Sequence, residues 1–565
     1  MKIEKDTLFA IIICAVVLFG WEPFCRYMGW GPAPATAAQT TQSTPAVQPE
    51  KPQTVAVSPK APVAPVAPQT TIIDKPVKIS NDLVSYEISP ADGAVKKIEL
   101  AKYANNLKNG HLSLDMNKRD SKSGAMALSA LNDQWRTESV VSAKAEGSKC
   151  EITRQMANNA GQKFLLTQTW ELAKDAYTVS YSFTVNNISG KEMNFQPAVS
   201  TGDLASWSVA SGDPAETGKV VHTLSFMTSG GEYDDLDADT KDSKFFVNIP
   251  SIDWTAVANK YFCVVLNPED ICGVAPQRGW LDSGKDKSVP VISGSAVLPV
   301  MQIPAGAVAG KNFKFYSGPK ISGLLSDFQK GADEIVDLSW GPLDYLAEFL
   351  LWCLAKLHEL IGNYGVSIII LTLIVRTIFY PVTAKANASM RKMQTVQPKL
   401  KEIKEKYKDN PQLMNVKMME LYRAEGVNPM GGCLPMLFQI PVFIALYHAL
   451  NGAVELRQAA FLWCKDLAQP DTIASLNLGI FTLDINPLAI AMTLLMVIQQ
   501  RITPMSGDPM QKRMMYLMPV IMLFFLYNLP SGLTLYWTVS NCFSIVQMLL
   551  QRRSNKTAGN VAAAK

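Results

Sequence analysis

The spacing of apolar positions changes character along the chain, and each change predicts a different kind of element. A charged start, MKIEKD, leads into an apolar run from Leu8 to Gly20 closed by Trp21, the pattern of a signal sequence or a short membrane anchor. Ala35, Ala37 and Ala38 lie too far beyond that run for ordinary cleavage, which favours a retained anchor. From about Ile72 to Lys320 the rhythm has period two. The stretch from Tyr177 to Val185, YTVSYSFTV, alternates as a half-buried strand should. Phe245 to Val247 and Tyr261 to Leu266 are further strand candidates, and Gly-, Asn- and Asp-rich breaks separate them. The pattern predicts one large all-β sandwich.

Beyond residue 321 the period becomes helical. Leu343, Leu346, Phe349, Leu350, Leu354 and Leu357 recur at three and four among Asp344, Glu348, Lys356 and His358, predicting an amphipathic helix at a membrane interface. Tyr364 to Pro381 is then almost wholly apolar, yet it contains Arg376. An arginine in hydrocarbon costs about 2.5–3.5 kcal/mol on insertion scales. Arg376 stands about one turn from the expected helix end at Pro381, so from this segment two readings stay open: snorkelling to the surface, or a wet cavity.

A charged stretch follows, predicted as an antiparallel helical hairpin over 384–426. Met393, Val396, Leu400, Ile403 and Tyr407 keep three-four spacing, Asp409-Asn410-Pro411 interrupts, and Met414, Met418 and Leu421 stripe the second arm. Spans are expected at about Val427–Ala449, Pro487–Ile502, Met514–Leu529 and Leu533–Leu550. Between the first two, the ELRQ from Glu455 to Gln458 is expected to begin an interfacial helix.

Charge orients these elements. The formal net charge of +4 is too small to suggest nucleic-acid binding. Its placement says more: ten Lys and Arg crowd the hairpin, and Arg501, Lys512, Arg513, Arg552 and Arg553 mark the other cytoplasmic segments. The N-terminus is then inside, the β domain outside, and six spans result, counting the anchor. Pro, Ala, Thr, Gln and Val dominate residues 31–71, an extended linker. The nine cysteines include no CxxC, and the four histidines sit in no catalytic or metal-binding motif. No cofactor or metal is expected. Cys263 and Cys272 could flank a hairpin and pair, which spacing alone leaves open, and Asp234, Asp235 and Asp237 read as a solvated acidic loop.

Polar residues recur in the expected spans: Thr372 and Arg376, then Gln439, then Trp537, Ser540 and Asn541 on one face, with no Asp or Glu deep in any span. Arg376 therefore lacks an obvious carboxylate partner, and a wet pocket serves it best. Coupled transport would call for intramembrane acids or repeated halves. A small-solute transporter with a periplasmic binding domain is the alternative, and a tethered carbohydrate-active enzyme a more distant one.

The stretches IIILTLIVRTIFYPVT, EGVNPMGGCLPMLFQIPVFIALYHAL, VELRQA, DPMQKRMMYLMPVIM and LPSGLTLYWTVSN together resemble the YidC/Oxa1/Alb3 membrane protein insertases over about Trp340 to Arg553. The anchor and external β domain resemble the Gram-negative form, through NDLVSYEISPADGAVKKIEL and DWTAVANKYF. The resemblance implies a non-enzymatic insertase and chaperone of the bacterial inner membrane. Its implied partners are nascent membrane proteins, the Sec translocon, the phospholipid bilayer, and the ribosome and targeting machinery met through the basic hairpin. It also implies a periplasmic β-supersandwich and a cytoplasm-open hydrophilic groove in which Arg376, Gln439, Tyr536 and Trp537 occupy the family's positions. Thr372, Ser540 and Asn541 are added by helical spacing. Met393, Leu400, Ile403, Tyr407, Met414 and Met418 make up the hairpin's apolar stripe.

The expected organisation is a multi-domain membrane protein. It has an anchor helix (1–30), the linker (31–71), the periplasmic β-sandwich (72–320) and a connector with the interfacial helix (321–363). A five-helix insertase core carrying the hairpin (364–553) and a short tail (554–565) complete it.

Overall fold

The computed structural model describes residues 75–104, 111–115, 124–131, 134–202, 223–238, 249–282, 288–336, 342–427, 434–477, 482–502 and 509–563. The expected anchor, the linker and Phe245 to Val247 lie outside them. The described residues divide into two units, one ending at Val336 and the other beginning after it.

The first unit is built on antiparallel strands. Arg136–Glu146, Lys149–Ala157, Lys163–Leu172 and Thr178–Asn187 form a meander, and Val308–Pro319, Phe262–Pro268 and Ile249–Ala258 continue the same thirteen-stranded sheet. Along Thr178–Asn187 the side chains of Val179, Tyr181, Phe183 and Val185 are all buried, each fully buried apolar side chain contributing about 1.5–3 kcal/mol. A four-stranded sheet, Val77–Ser80, Val84–Ser89, Ala94–Ala104 and His111–Asp115, is tied to the large one by a buried polar cluster. Arg154 and Gln168 bond each other, Gln168 donates to Gly93 O (3.1 Å) and Tyr181 Oη (2.8 Å), and Arg154 donates to Ala91 O (3.3 Å). Gly93 has φ +62°, and a Cβ there would stand 2.0 Å from Gln168 Oε1, so only glycine fits the turn.

Two expectations fail in this unit, and one open question is answered. Asp234, Asp235 and Asp237 lie in the strand Tyr233–Asp237, paired with Thr223–Thr228, because Leu236 between them is buried and sets a strand register. Cys263 and Cys272 are unbridged and buried. They face Ala258 and Ile252 of one shared strand, about 20 Å apart at about 3.3 Å per residue, whereas a disulfide needs a Cα separation under about 7 Å. Residues 321–336 are not connector. The helix Ser322–Phe328 (α1) and a 3-10 turn, Ala332–Ile335, pack on the β unit through Leu325, Ala332 and Ile335, and Gln329 bonds Asn267.

The second unit is helical: α2 Pro342–Ile361, α3 Tyr364–Ile378, α4 Tyr380–Lys406, α5 Pro411–Ala424, α6 Leu434–Gly452, α7 Pro487–Ile502, α8 Pro509–Leu526 and α9 Ser531–Ala563. Helix α3 ends at Ile378, with Phe379 as its C-cap, before the expected Pro381. The chain bends 58° there into α4, and Pro381 sits in the first turn of α4, where its missing N–H costs nothing. Asn410 caps α5 by accepting from Leu413 N (3.1 Å), and Pro411 opens it. Val427 belongs to the hairpin core rather than to the following helix, donating its N–H to Tyr422 O (3.0 Å). The ELRQ stretch forms only a 3-10 turn, Val454–Leu456, because Gln458 takes φ +61° and stops a helix. Beyond it come a loop that buries Cys464, Leu467 and Ala468 and the hairpin Ala474–Asn477/Thr482–Ile485. The expected tail is helical as far as Ala563.

By length and mean hydropathy, Ser531–Gln551 is long and apolar enough to cross a membrane, and the bent pair Tyr364–Ile378 with Tyr380–Ser389 passes jointly. Pro487–Ile502 and Tyr516–Leu526 are shorter apolar helices. At about 1.5 Å per residue, α3 and α7 reach only about 22–24 Å against a hydrocarbon layer of about 30 Å.

Candidate functional site

Helix α9 organises the site. Its sequence puts Tyr536, Ser540, Ser544 and Gln547 at intervals of four, four and three, so they share one face. Three of them bond across to three other helices. Tyr536 Oη accepts from Gln439 Nε2 of α6. Ser540 Oγ accepts from both Nε and Nη2 of Arg376, in the last turn of α3. Gln547 Nε2 donates to Thr383 Oγ1 of α4 at 2.9 Å. Tyr536, Ser540 and Gln547 are buried at 2, 2 and 6% exposure, while Leu549 and Leu550, on another face of the helix, are exposed.

Arg376 thus meets a neutral hydroxyl. Among the described residues no carboxylate forms an ion pair with it, and no group of three His, Cys, Asp or Glu is placed to hold a metal ion. Its position near the C-terminal end of α3 favours a cation. A hydroxyl gives it one acceptor for a five-donor fork, so most of its hydrogen-bonding capacity is open to water or to an arriving polar group.

The residues expected at the site separate under this geometry. Arg376, Gln439, Tyr536 and Ser540 come together. Trp537 lies beside them, partly buried, its ring edge-on to Phe443 at 4.6 Å. Asn541 is 6% exposed and its Nδ2 has no partner among the described residues. Thr372 is fully buried and donates its hydroxyl to Ile368 O of its own helix (2.6 Å), so it takes no part in the polar contacts. A threonine inside a helix readily bonds back one turn. Sequence reasoning missed Thr383 and Gln547. The signal was present: Gln547 falls eleven residues after Tyr536 on the same face of α9.

The seam's other end meets the loop after α6. Ser531 N donates to Gln469 O (2.7 Å), Gly532 N to Leu467 O (2.9 Å), and Ser531 Oγ to Asp466 O (3.0 Å). Asp471 Oδ2 accepts from Leu488 N (2.6 Å) and Trp463 Nε1 (3.0 Å), capping α7. Gly365 lets α3 approach this loop, since a Cβ there would stand 2.1 Å from the Phe461 ring. Burial pushes the Glu455 carboxyl above its ordinary range.

In the hairpin, Val396, Leu400 and Val427 form a small core against which Met393, Met418, Leu421 and Tyr422 pack. Ile403, Tyr407 and Met414 are half-buried nearer the tip. The arms are also joined by Lys399 and Glu425 at 2.6 Å.

The model of the 60Kd inner membrane protein family matches residues 356–558, and that of the YidC periplasmic domain matches residues 76–353. A membrane protein insertase YidC from Oleidesulfovibrio alaskensis is 31% identical over 568 residues, covering 96% of this chain and 98% of the relative. One from Pseudomonas putida is 31% identical over 506 residues, covering 86% and 85%. Among solved structures, an active YidC insertase with its first transmembrane domain resolved is similar at 19% identity and a TM-score of 0.35, covering 86% of this chain and 93% of that one. A galactose mutarotase-like protein from Lactobacillus casei is similar at 13% identity and a TM-score of 0.29, over 43% of this chain and 99% of that one. The Oleidesulfovibrio and Pseudomonas relatives are named insertases, which leaves the solute-transporter reading without support.

Proposed function

Because the chain belongs to the YidC family of membrane protein insertases, we propose that the polar seam on α9 is where a client segment rests on its way into lipid. The family is an inner membrane insertase family with a periplasmic domain. The observation carrying the proposal is Arg376, whose hydrogen-bond partner among the described residues is Ser540, at the end of an apolar helix. A cation there costs several kcal/mol unless water or an anionic group reaches it. A hydrophilic groove open to the cytoplasm meets that need. In this scheme the client's polar flank exchanges hydrogen bonds with Arg376, Gln439, Tyr536 and Ser540 while its apolar segment moves along α9 into hydrocarbon. Transfer of about twenty apolar residues supplies the driving force, without nucleotide, and no bond is made or broken.

The further parts of the scheme are a multi-pass core, residues 364–553, whose spans include α3, α6, α7, α8 and α9; α2 lying in the outer interface; and the basic hairpin meeting ribosome, targeting machinery or Sec translocon. Reconstitution tests the scheme: purified protein in liposomes is given a short single-span client, and protection of its translocated end from protease is read. Protection should depend on the protein and fall on Arg376→Ala with acidic client tails. Equal protection in protein-free liposomes would refute it.

A further inference from the structure

We propose that Gln547 and Thr383 form a separate docking station for the client, nearer the cytoplasm than Arg376 and Ser540, and that it binds uncharged backbone and amide groups. This rests on the insertase reading above.

The geometry distinguishes this pair from Arg376 and Ser540. Gln547 lies seven residues beyond Ser540 on the same face of α9 and five before Arg552, hence about 10 Å below the first and about 8 Å from the basic pair that marks the cytoplasmic surface. Thr383 lies across the 58° bend from Arg376, in the first turn of α4. The station is therefore made by the last span and the root of the cytoplasmic hairpin.

The pair's hydrogen bonding is incomplete. Gln547 Nε2 donates to Thr383 Oγ1 at 2.9 Å. The Thr383 hydroxyl has one proton and three acceptors in reach: Phe379 O (3.2 Å), Tyr380 O (3.0 Å) and Gln547 Oε1 (3.3 Å). The amide oxygen is the most distant of the three, so when the hydroxyl serves a backbone carbonyl Gln547 Oε1 has no donor. An amide carries two N–H groups, and the second has no partner among the described residues. An amide buried at 6% exposure, whose oxygen has only a shared donor in Thr383 and whose second N–H is left over, matches a peptide group, which offers one donor and one acceptor. A client entering hydrocarbon before its helix has closed carries such groups and must satisfy them. Arg376 offers only donors and a charge, and suits acidic side chains. The two stations thus divide the client: neutral peptide first, acidic flank deeper in.

The test uses the full-length protein in membranes and ribosome-stalled single-span clients of increasing length. A photo-crosslinking residue is placed at position 547, at Trp537, or at Val546, which is exposed on another face of α9. The adduct at 547 should appear at shorter client lengths than that at 537, and exceed that at 546 at least fivefold. With the probe at 537, Gln547→Leu and Thr383→Val should each delay adduct formation for a neutral polar tail, whereas Gln547→Asn should retain much of the wild-type timing. Adducts at 537 with none at 547, or equal adducts at 546 and 547, would overturn the docking station and leave the insertase scheme standing. Absence of adducts at all three positions would overturn both.

Discussion

Replacing Ser540 by alanine separates a wet seam from a dry one. Ser540 Oγ accepts from both Nε and Nη2 of Arg376 and is that side chain's acceptor among the described residues. In a dry environment its loss strands two charged donors, and hydrogen bonds to charged groups contribute about 1.5–3 kcal/mol each. The helical unit should then lose about 3 kcal/mol or more, because a buried charge without a partner is among the most destabilising changes known. In a groove filled with water the guanidinium is resolvated as the hydroxyl leaves, and the loss should stay near 0.5 kcal/mol. The proposed scheme requires the second outcome. The assay is thermal unfolding of the protein in nanodiscs, wild type against Ser540→Ala, with insertion of one client measured in parallel. The expected result is a small change in midpoint and at most a severalfold change in insertion. A multi-kcal/mol loss of stability would refute the wet groove. Arg376→Lys and Arg376→Ala then separate charge from shape. For a tail with one acidic residue, an attraction of about 1–4 kcal/mol at 4 Å makes the alanine variant at least about fivefold less efficient, with lysine intermediate.

Other consequences can be measured independently. Gly365→Ala places a Cβ 2.1 Å from the Phe461 ring, and overpacking of this kind costs about 1–3 kcal/mol; a lowered unfolding midpoint is expected, partly restored by Phe461→Ala. In the β unit, hydrogen bonds from Lys78 and Lys97 hold the Glu99 carboxyl down at about 2, against an ordinary 4.5. A depressed carboxylate stabilises the fold above its unfolded value and loses that contribution as pH falls towards its folded one. Denaturant titrations of the β unit should therefore weaken between about pH 4.5 and 2, and Glu99→Gln should flatten that dependence. Burial pushes the Cys263 and Cys272 thiols up to about 12; both should resist a maleimide in the native protein and react in denaturant, and a bridged form recovered under non-reducing conditions would contradict the sheet register.

Much of the helical unit was legible because its signals are local. Asn363 caps α3 and Asn410 caps α5 through their own side chains, and stripes at three and four mark the packed faces. Boundaries failed where tertiary contact decided them. Val427 reads as the start of a membrane run but packs with Val396 and Leu400, and Pro381 reads as a stop but opens the next helix. In the β unit, alternation along Thr178–Asn187 revealed a strand, whereas three aspartates hid Tyr233–Asp237, whose register depends on Leu236 meeting Leu224 across the sheet. The site was readable one helix at a time. Arg376 and Ser540 were each picked out, but neither periodicity nor composition says that they touch, because their contact joins residues 164 positions apart. Thr372 shows the converse: it has the right face and the right chemistry, yet its hydroxyl is spent on Ile368 O.

The loop that covers the start of α9 bears on how the cell keeps its batteries charged. The first N–H groups of a helix form a positive pole open to anions and water. Here Ser531 and Gly532 give theirs to Gln469 O and Leu467 O, while Leu467 and Cys464 are buried around them. A polar seam that ran from one side of a bilayer to the other would leak protons and ions, dissipating about 2.3 kcal/mol per charge for every 100 mV of membrane potential. In the proposed scheme this is the outer end, and closing it with backbone carbonyls and apolar side chains gives the seam a floor. Polar groups are then, in that scheme, admitted from the cytoplasm without wiring the two compartments together, and loosening that floor, as by Leu467→Gly, should show first as collapse of the potential across a vesicle membrane.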